Sequence, residues 1–149
     1  MNESTVSSDF QTRLRRSGLN CVVIKHADKS MIGCPDATVT AERQTLWLEY
    51  KIVTPLRDGS WQPEKIAENS PKQYGMMRDL ACCGRALYIF WVVDHLALRK
   101  RVGSVVLWHP LTYQQFRCED TCEAVFRITQ IFRPQDSTLP EALKLLLPE

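Results

Sequence analysis

The stretch Ala86-Leu87-Tyr88-Ile89-Phe90-Trp91-Val92-Val93 is the longest unbroken apolar run in the chain. At eight residues it falls far short of the roughly 20 needed to cross a bilayer. A strand without polar alternation must be covered on both faces, so this run predicts a buried central strand. A chain of 149 residues supports one domain with a single sizeable core and leaves little room for a second. The opening residues Met1-Asn2-Glu3-Ser4-Thr5 hold neither a basic start nor an apolar stretch. An intracellular protein, in the cytoplasm or on the nucleoid, is therefore expected, with no membrane partner and no secretion.

The other elements follow from periodicity and punctuation. Phe10 and Leu14 give helical spacing from about Ser8 to Arg16, closed by Ser17-Gly18. Cys21-Val22-Val23-Ile24 is a short β-branched run, a loop covers Lys25 to Pro35, and Ala37 to Thr40 and Thr45 to Lys51 read as strands. Residues 53–69 look irregular, with Pro55, Gly59 and Pro63 as breakers. Ser70-Pro71 opens a helix that runs to about Cys83 and stops at Gly84. Ser104 to Trp108 is a further strand, and the rest is expected to be helical in pieces, ending in the leucine-rich 139–147 segment. The order α-β-β-β-α-β-β-α is an α/β sandwich with a mixed sheet.

The six cysteines do not form a disulfide framework, because the chain can bury enough surface without staples. They are expected as reduced thiols. A zinc site would rest on Cys118 and Cys122, one turn apart on a helix, without the second pair such sites use. The net charge of +2 conceals an uneven split: residues 118–149 carry six acids and three bases, residues 1–117 carry 16 bases and 11 acids. Arg13, Arg15 and Arg16 cluster early, and Arg99-Lys100-Arg101 form a run in an acid-free stretch. Both suit a polyanionic partner, and both equally suit a solvated surface.

Chemistry concentrates in Gly33-Cys34-Pro35-Asp36 and Leu48-Glu49-Tyr50-Lys51. Alternate residues of a strand share a face, so Glu49 and Lys51 lie together while Tyr50 points away. With Glu42 and Arg43 at the centre of the connecting turn, Asp36 falls directly opposite Glu49. Side chains so placed are about 5 Å apart, and like charges there destabilise a sheet. A divalent cation offsets that repulsion, since converging carboxylates make a hard-oxygen site for Mg²⁺ or Mn²⁺. Lys51, one step along the same face, could orient a water beside that metal. A metal with two carboxylates and a lysine is an arrangement for hydrolysing phosphodiesters.

Pro35-Asp36, thirteen residues, then Glu49-Tyr50-Lys51 resembles the PD-(D/E)XK nuclease superfamily. With Ser70-Pro71-Lys72-Gln73 and a helix leading into an apolar strand, the context resembles virus-type replication-repair nuclease (VRR-NUC) and Holliday-junction-resolvase-like domains. The resemblance covers about residues 7–93. It implies a restriction-endonuclease-like α/β fold, a mixed β-sheet flanked by helices with an α-β-β-β-α-β core. A single domain over 1–149 would then carry residues 94–149 as an extension packed on that core. The resemblance also implies Asp36, Glu49 and the Tyr50 backbone carbonyl as metal ligands, Lys51 serving the attacking water and Gln73 contacting the site. It departs at the first helix, where the position aligned with the family's glutamate holds Ser7, with Glu3 and Asp9 nearby.

Gln73 has a second reading, since Ser70 and Gln73 are spaced as a capping box. Lys25, His26, Lys72, Arg99, Lys100 and Arg101 are candidates for touching DNA phosphates, and Trp61 could stack on an unpaired base or anchor its loop. His95 and His109 are expected to be structural. The function implied is a Mg²⁺- or Mn²⁺-dependent DNA endonuclease acting on branched or structured DNA. A non-catalytic nucleic-acid-binding protein on the same fold is the alternative, and a leucine-rich homodimerisation module is a third.

Overall fold

The chain enters its fold at Asn2, whose side chain accepts a hydrogen bond from the Thr5 N–H at 2.9 Å. That cap opens α1 (Glu3–Arg15), which buries Ser7, Phe10, Gln11 and Leu14 along one stripe. The computed structural model describes residues 2–26 and 33–132. After α1 come β1 (Cys21–Lys25), β2 (Ala37–Ala41), β3 (Gln44–Val53), α2 (Pro63–Glu68), α3 (Pro71–Cys83), β4 (Ala86–Val93), β5 (Val102–Trp108), β6 (Gln115–Cys118) and α4 (Thr121–Phe132).

The six strands form one sheet in the order β1-β2-β3-β4-β5-β6. Only β3 and β4 are parallel, so the sheet is mixed. Every residue of β4 is buried. Its odd-numbered Leu87, Ile89 and Trp91 pack with Phe10, Leu14, Tyr50 and residues of α4 on one face. Tyr88, Phe90 and Val92 pack on the other with Met77 and Tyr74 of α3 and Ala67 of α2. The expected α/β fold, a mixed sheet flanked by helices, is what the chain adopts.

The β2–β3 register pairs Ala37 with Leu48 and Ala41 with Gln44. Glu42 and Arg43 form the turn with φ of 49° and 60°, the left-handed pair that a two-residue hairpin requires. The register ends at Ala37, and Asp36, one residue before β2, meets Glu49 through its backbone N–H, which donates to Glu49 Oε2 at 3.2 Å. Several expectations need correction. Residues 53–69 are not wholly irregular: Pro63 occupies the first turn of α2 rather than breaking a helix. Helix α1 begins five residues before Ser8, because Asn2 caps it and Val6 extends the apolar spacing backward.

The region after β4 also differs, since β6 is a strand where a helix was expected. Cys118 therefore lies in β6 and Cys122 in α4, not one turn apart on a helix. Among the described residues no three His, Cys, Asp or Glu side chains form a metal cage, and all six cysteines are free thiols. Strands β5 and β6 continue the sheet, and α4 packs against α1, β5 and β6. The 139–147 segment lies outside the described residues. No described helix is long and apolar enough to cross a membrane.

Candidate active site

The site forms where β3 outruns β2. Strand β2 begins at Ala37, opposite Leu48, while β3 stays paired to β4 as far as Val53. Beyond Leu48, one edge of β3 has no strand beside it. Two side chains occupy that edge: Asp36 Oδ2 accepts the Tyr50 N–H at 2.9 Å, and the Glu3 carboxylate accepts the Ile52 N–H. A strand residue directs its N–H and C=O to the same side, so the Tyr50 carbonyl faces this gap too. The Tyr50 ring is buried on the opposite face, where its hydroxyl accepts from Gln11 Nε2 at 3.2 Å.

Glu49 is 1% exposed and points to the α3 side of the sheet. Its Oε2 accepts the Asp36 N–H at 3.2 Å, and Lys51 Nζ lies 3.5 Å from its Oε1. Burial pushes the Glu49 carboxyl up to about 9. The Asp36 charge and a hydrogen bond between the two acid side chains raise it further, and Lys51 opposes both. Burial thus favours the protonated form of Glu49 at neutral pH. Lys51 faces a cleft of about 560 Å³ that it shares with Gly33, Ser70, Pro71, Lys72 and Gln73.

Gln73 settles between its two readings on hydrogen bonding. Ser70 occupies the N-cap position of α3, but its side chain makes no cap hydrogen bond. Gln73 Oε1 is buried without a partner among the described residues. An orphaned amide oxygen costs stability, and the capping box does not form to relieve it. Gly33 brings the Asp36 loop against this helix end. Its φ is +89°, and a Cβ there would sit 3.0 Å from the Lys72 carbonyl oxygen.

The donor set fits a hard divalent cation. Asp36 and Glu49 bring two carboxyl groups together, the unpaired edge of β3 supplies a carbonyl, and Gln73 offers a free oxygen. The first-helix position where an acid is expected holds Ser7, and the α1 carboxylate that senses Asp36 is Glu3. Ser7 is buried and donates to the Ser4 carbonyl. Glu3 lies one turn earlier, and its pKa is raised by burial and then by Asp36, with Lys51 opposing. The signal for it was present in Asn2-Glu3, an N-cap followed by a first-turn acid.

The remaining candidates divide. Lys25 ends β1 and is exposed at the same end of the sheet, and Lys72 is exposed in the first turn of α3. His26 stacks on Trp47 at 5.5 Å and meets Thr38 Oγ1 at 3.2 Å, so its ring is held within the fold. Arg99, Lys100 and Arg101 are exposed between β4 and β5, and Arg101 is paired with Asp94 at 3.0 Å. Trp61 anchors its loop edge-on against Phe90 at 5.3 Å. His109 is structural, its Nδ1 accepting the Leu111 and Thr112 N–H groups. His95 packs against Gly59.

No family model matches the chain, and no curated protein matches it. Among solved structures the fold is similar to that of Archaeoglobus fulgidus Hjc, a Holliday junction resolvase from an archaeal hyperthermophile. The two share 15% identity at a TM-score of 0.45, over 85% of this chain and 88% of that one.

Proposed function

We propose that the chain is a metal-dependent deoxyribonuclease of the PD-(D/E)XK type, cutting branched or structured DNA internally with Mg²⁺ or Mn²⁺. One observation carries this reading. Two carboxyl groups, Asp36 and Glu49, meet at an unpaired strand edge, the Asp36 N–H donating to Glu49 Oε2 at 3.2 Å, with a lysine ammonium 3.5 Å from the buried one. Such a pair lowers the stability of the fold, and a bound divalent cation would offset that cost.

Asp36, Glu49 and the Tyr50 carbonyl would hold the cation, with Glu3 beside Asp36. The bound ion supplies charge neutralisation at the phosphoryl oxygen and a lowered pKa for water. Glu49 would hold the ion in its deprotonated form. Lys51 Nζ positions the attacking water and offsets the charge that grows on the phosphate. Gln73 Oε1 accepts a hydrogen from that water and fixes its direction of approach. Lys72 and Lys25 hold flanking phosphates.

Incubation of the pure chain with branched, single-stranded and linear duplex DNA, with Mn²⁺ or with chelator, tests the reading. Cleavage is expected only with metal. Lys51→Ala should bind DNA within a few fold of wild type while cleavage slows by about 10²-fold or more. Near-wild-type cleavage by that variant, or any cleavage in chelator, overturns the assignment.

A further inference from the structure

The β4–β5 hairpin rises from the same end of the sheet as the acid pair. Glu49 pairs with Tyr88, and β4 runs five residues further to Val93 before the hairpin starts. At about 3.3 Å per residue the hairpin base lies about 17 Å beyond the site. Its tip presents two leucines to solvent: Leu96 is 81% exposed and Leu98 fully so. Arg99 and Lys100 follow directly, both exposed. Leucines in a loop normally fold back onto apolar neighbours, and here they do not.

The tip is held in that form from below. Asp94 Oδ1 accepts the Leu96 N–H at 3.0 Å, Asp94 N–H donates to the Arg101 carbonyl at 2.9 Å, and its other carboxylate oxygen accepts from Arg101 at 3.0 Å. His95 lies against Gly59 so closely that a Cβ there would be 2.8 Å from the ring. The hairpin is thus braced on the 54–62 loop. A braced tip with outward leucines and adjacent cations matches what proteins use to open DNA: an apolar wedge between bases, with basic groups on the neighbouring phosphates.

We infer that Leu96 and Leu98 form a wedge that stacks on the base step opened at a DNA branch, with Arg99 and Lys100 gripping the phosphates beside it. The inference rests on the nuclease reading and deepens it, because it assigns the preference for branched DNA to a named element. DNA rather than a lipid surface is favoured by continuity: the tip and the acid pair share one end of the sheet.

The test uses the full chain in chelator, so that nothing is cut. A DNA junction carrying 2-aminopurine at the branch pair is compared with a linear duplex of equal length. Wild type should bind the junction at least about tenfold more tightly, and 2-aminopurine fluorescence should rise as the base unstacks. Leu96→Ser/Leu98→Ser should melt at the wild-type temperature and bind linear duplex within about twofold. It should lose both the junction preference and the fluorescence rise. A variant that keeps both, or a wild type that leaves the fluorescence unchanged, overturns the wedge. So does wild-type binding to phosphatidylserine vesicles that the double substitution abolishes. Metal-dependent cleavage that survives alongside any of these results leaves the nuclease standing without its wedge, whereas failure to bind any DNA removes both.

Discussion

Glu49 carries the proton that decides how the site responds to pH. Its carboxyl titrates near 9 in the folded chain against an ordinary 4.5, so between those values the fold binds a proton that the unfolded chain has lost. Its contribution to stability is therefore complete below about 4.5 and is lost as pH rises toward 9, at up to about 1.4 kcal/mol per pH unit. His109 acts in the opposite sense, its pKa lowered by burial, but only below its ordinary 6.5. Cys21 and Cys118 titrate above their ordinary 9.0. Those thiols contribute in the same sense only once their unfolded forms ionise, so Glu49 dominates the window from pH 7 to 8. Thermal melts in chelator should fall across it for wild type and stay flat for Glu49→Gln, and saturating Mn²⁺ should flatten the wild-type slope. A flat wild-type profile in chelator would show that the fold does not hold Glu49 protonated. Asp36→Asn should leave the apo protein as stable or more so, since it removes the charge facing Glu49, and should lose most of the stabilisation that Mn²⁺ gives wild type. The pairing of Asp36 with Glu49, and the common face of Glu49 and Lys51, were legible because strand periodicity leaves no freedom once the turn is placed. Glu3 was legible only as an acid near Ser7, because apolar spacing beginning at Phe10 hides the first turn that carries it.

At the scale of elements, the β2–β3 hairpin keeps its register without the residues that favour its turn. Glu42 and Arg43 both sit in the left-handed region, where a residue with a Cβ is strained. Glu42→Asn with Arg43→Gly should therefore stabilise the chain by about 1 kcal/mol in chemical denaturation, with cleavage unchanged. Loss of stability would mean that side-chain contacts of the native pair outweigh the strain. Gly33 is the opposite case, already optimal. Gly33→Ala adds both left-handed strain and a contact with the Lys72 carbonyl, so it should cost about 1–3 kcal/mol and reduce cleavage by moving Asp36 away from α3. Elements with strong periodicity, β4 and α3, could be read from the sequence to within a residue. Strand β6 could not, because four residues on a sheet edge carry too little alternation, and α2 was obscured because Pro63 serves as a helix start rather than a stop.

Across the whole molecule, positive charge gathers where the strands end toward the acid pair. Lys25 ends β1, Lys51 lies on β3, Lys72 opens α3, and Arg99 and Lys100 crown the hairpin after β4. The arginines of α1 are differently employed: Arg13 is bound to Asp9 at 3.0 Å and to Cys122 Sγ at 3.1 Å, and Arg15 donates to the Val23 carbonyl at 3.4 Å. Sequence clustering made the two basic groups equivalent; the fold engages Arg13 and Arg15 with protein partners and leaves Arg99 and Lys100 exposed at one end of the sheet. DNA affinity should therefore fall steeply with salt, and the slope of log affinity against log salt should lose about 0.9 for each phosphate contact removed. Arg99→Gln/Lys100→Gln should lower that slope by about 2, with Arg101 retained because it closes the hairpin on Asp94. Arg13→Gln/Arg15→Gln should leave it unchanged. Fluorescence anisotropy titrations from 50 to 200 mM salt measure both, and the reverse pattern would move the DNA to the α1–α4 side, away from the carboxylates that are meant to cut it.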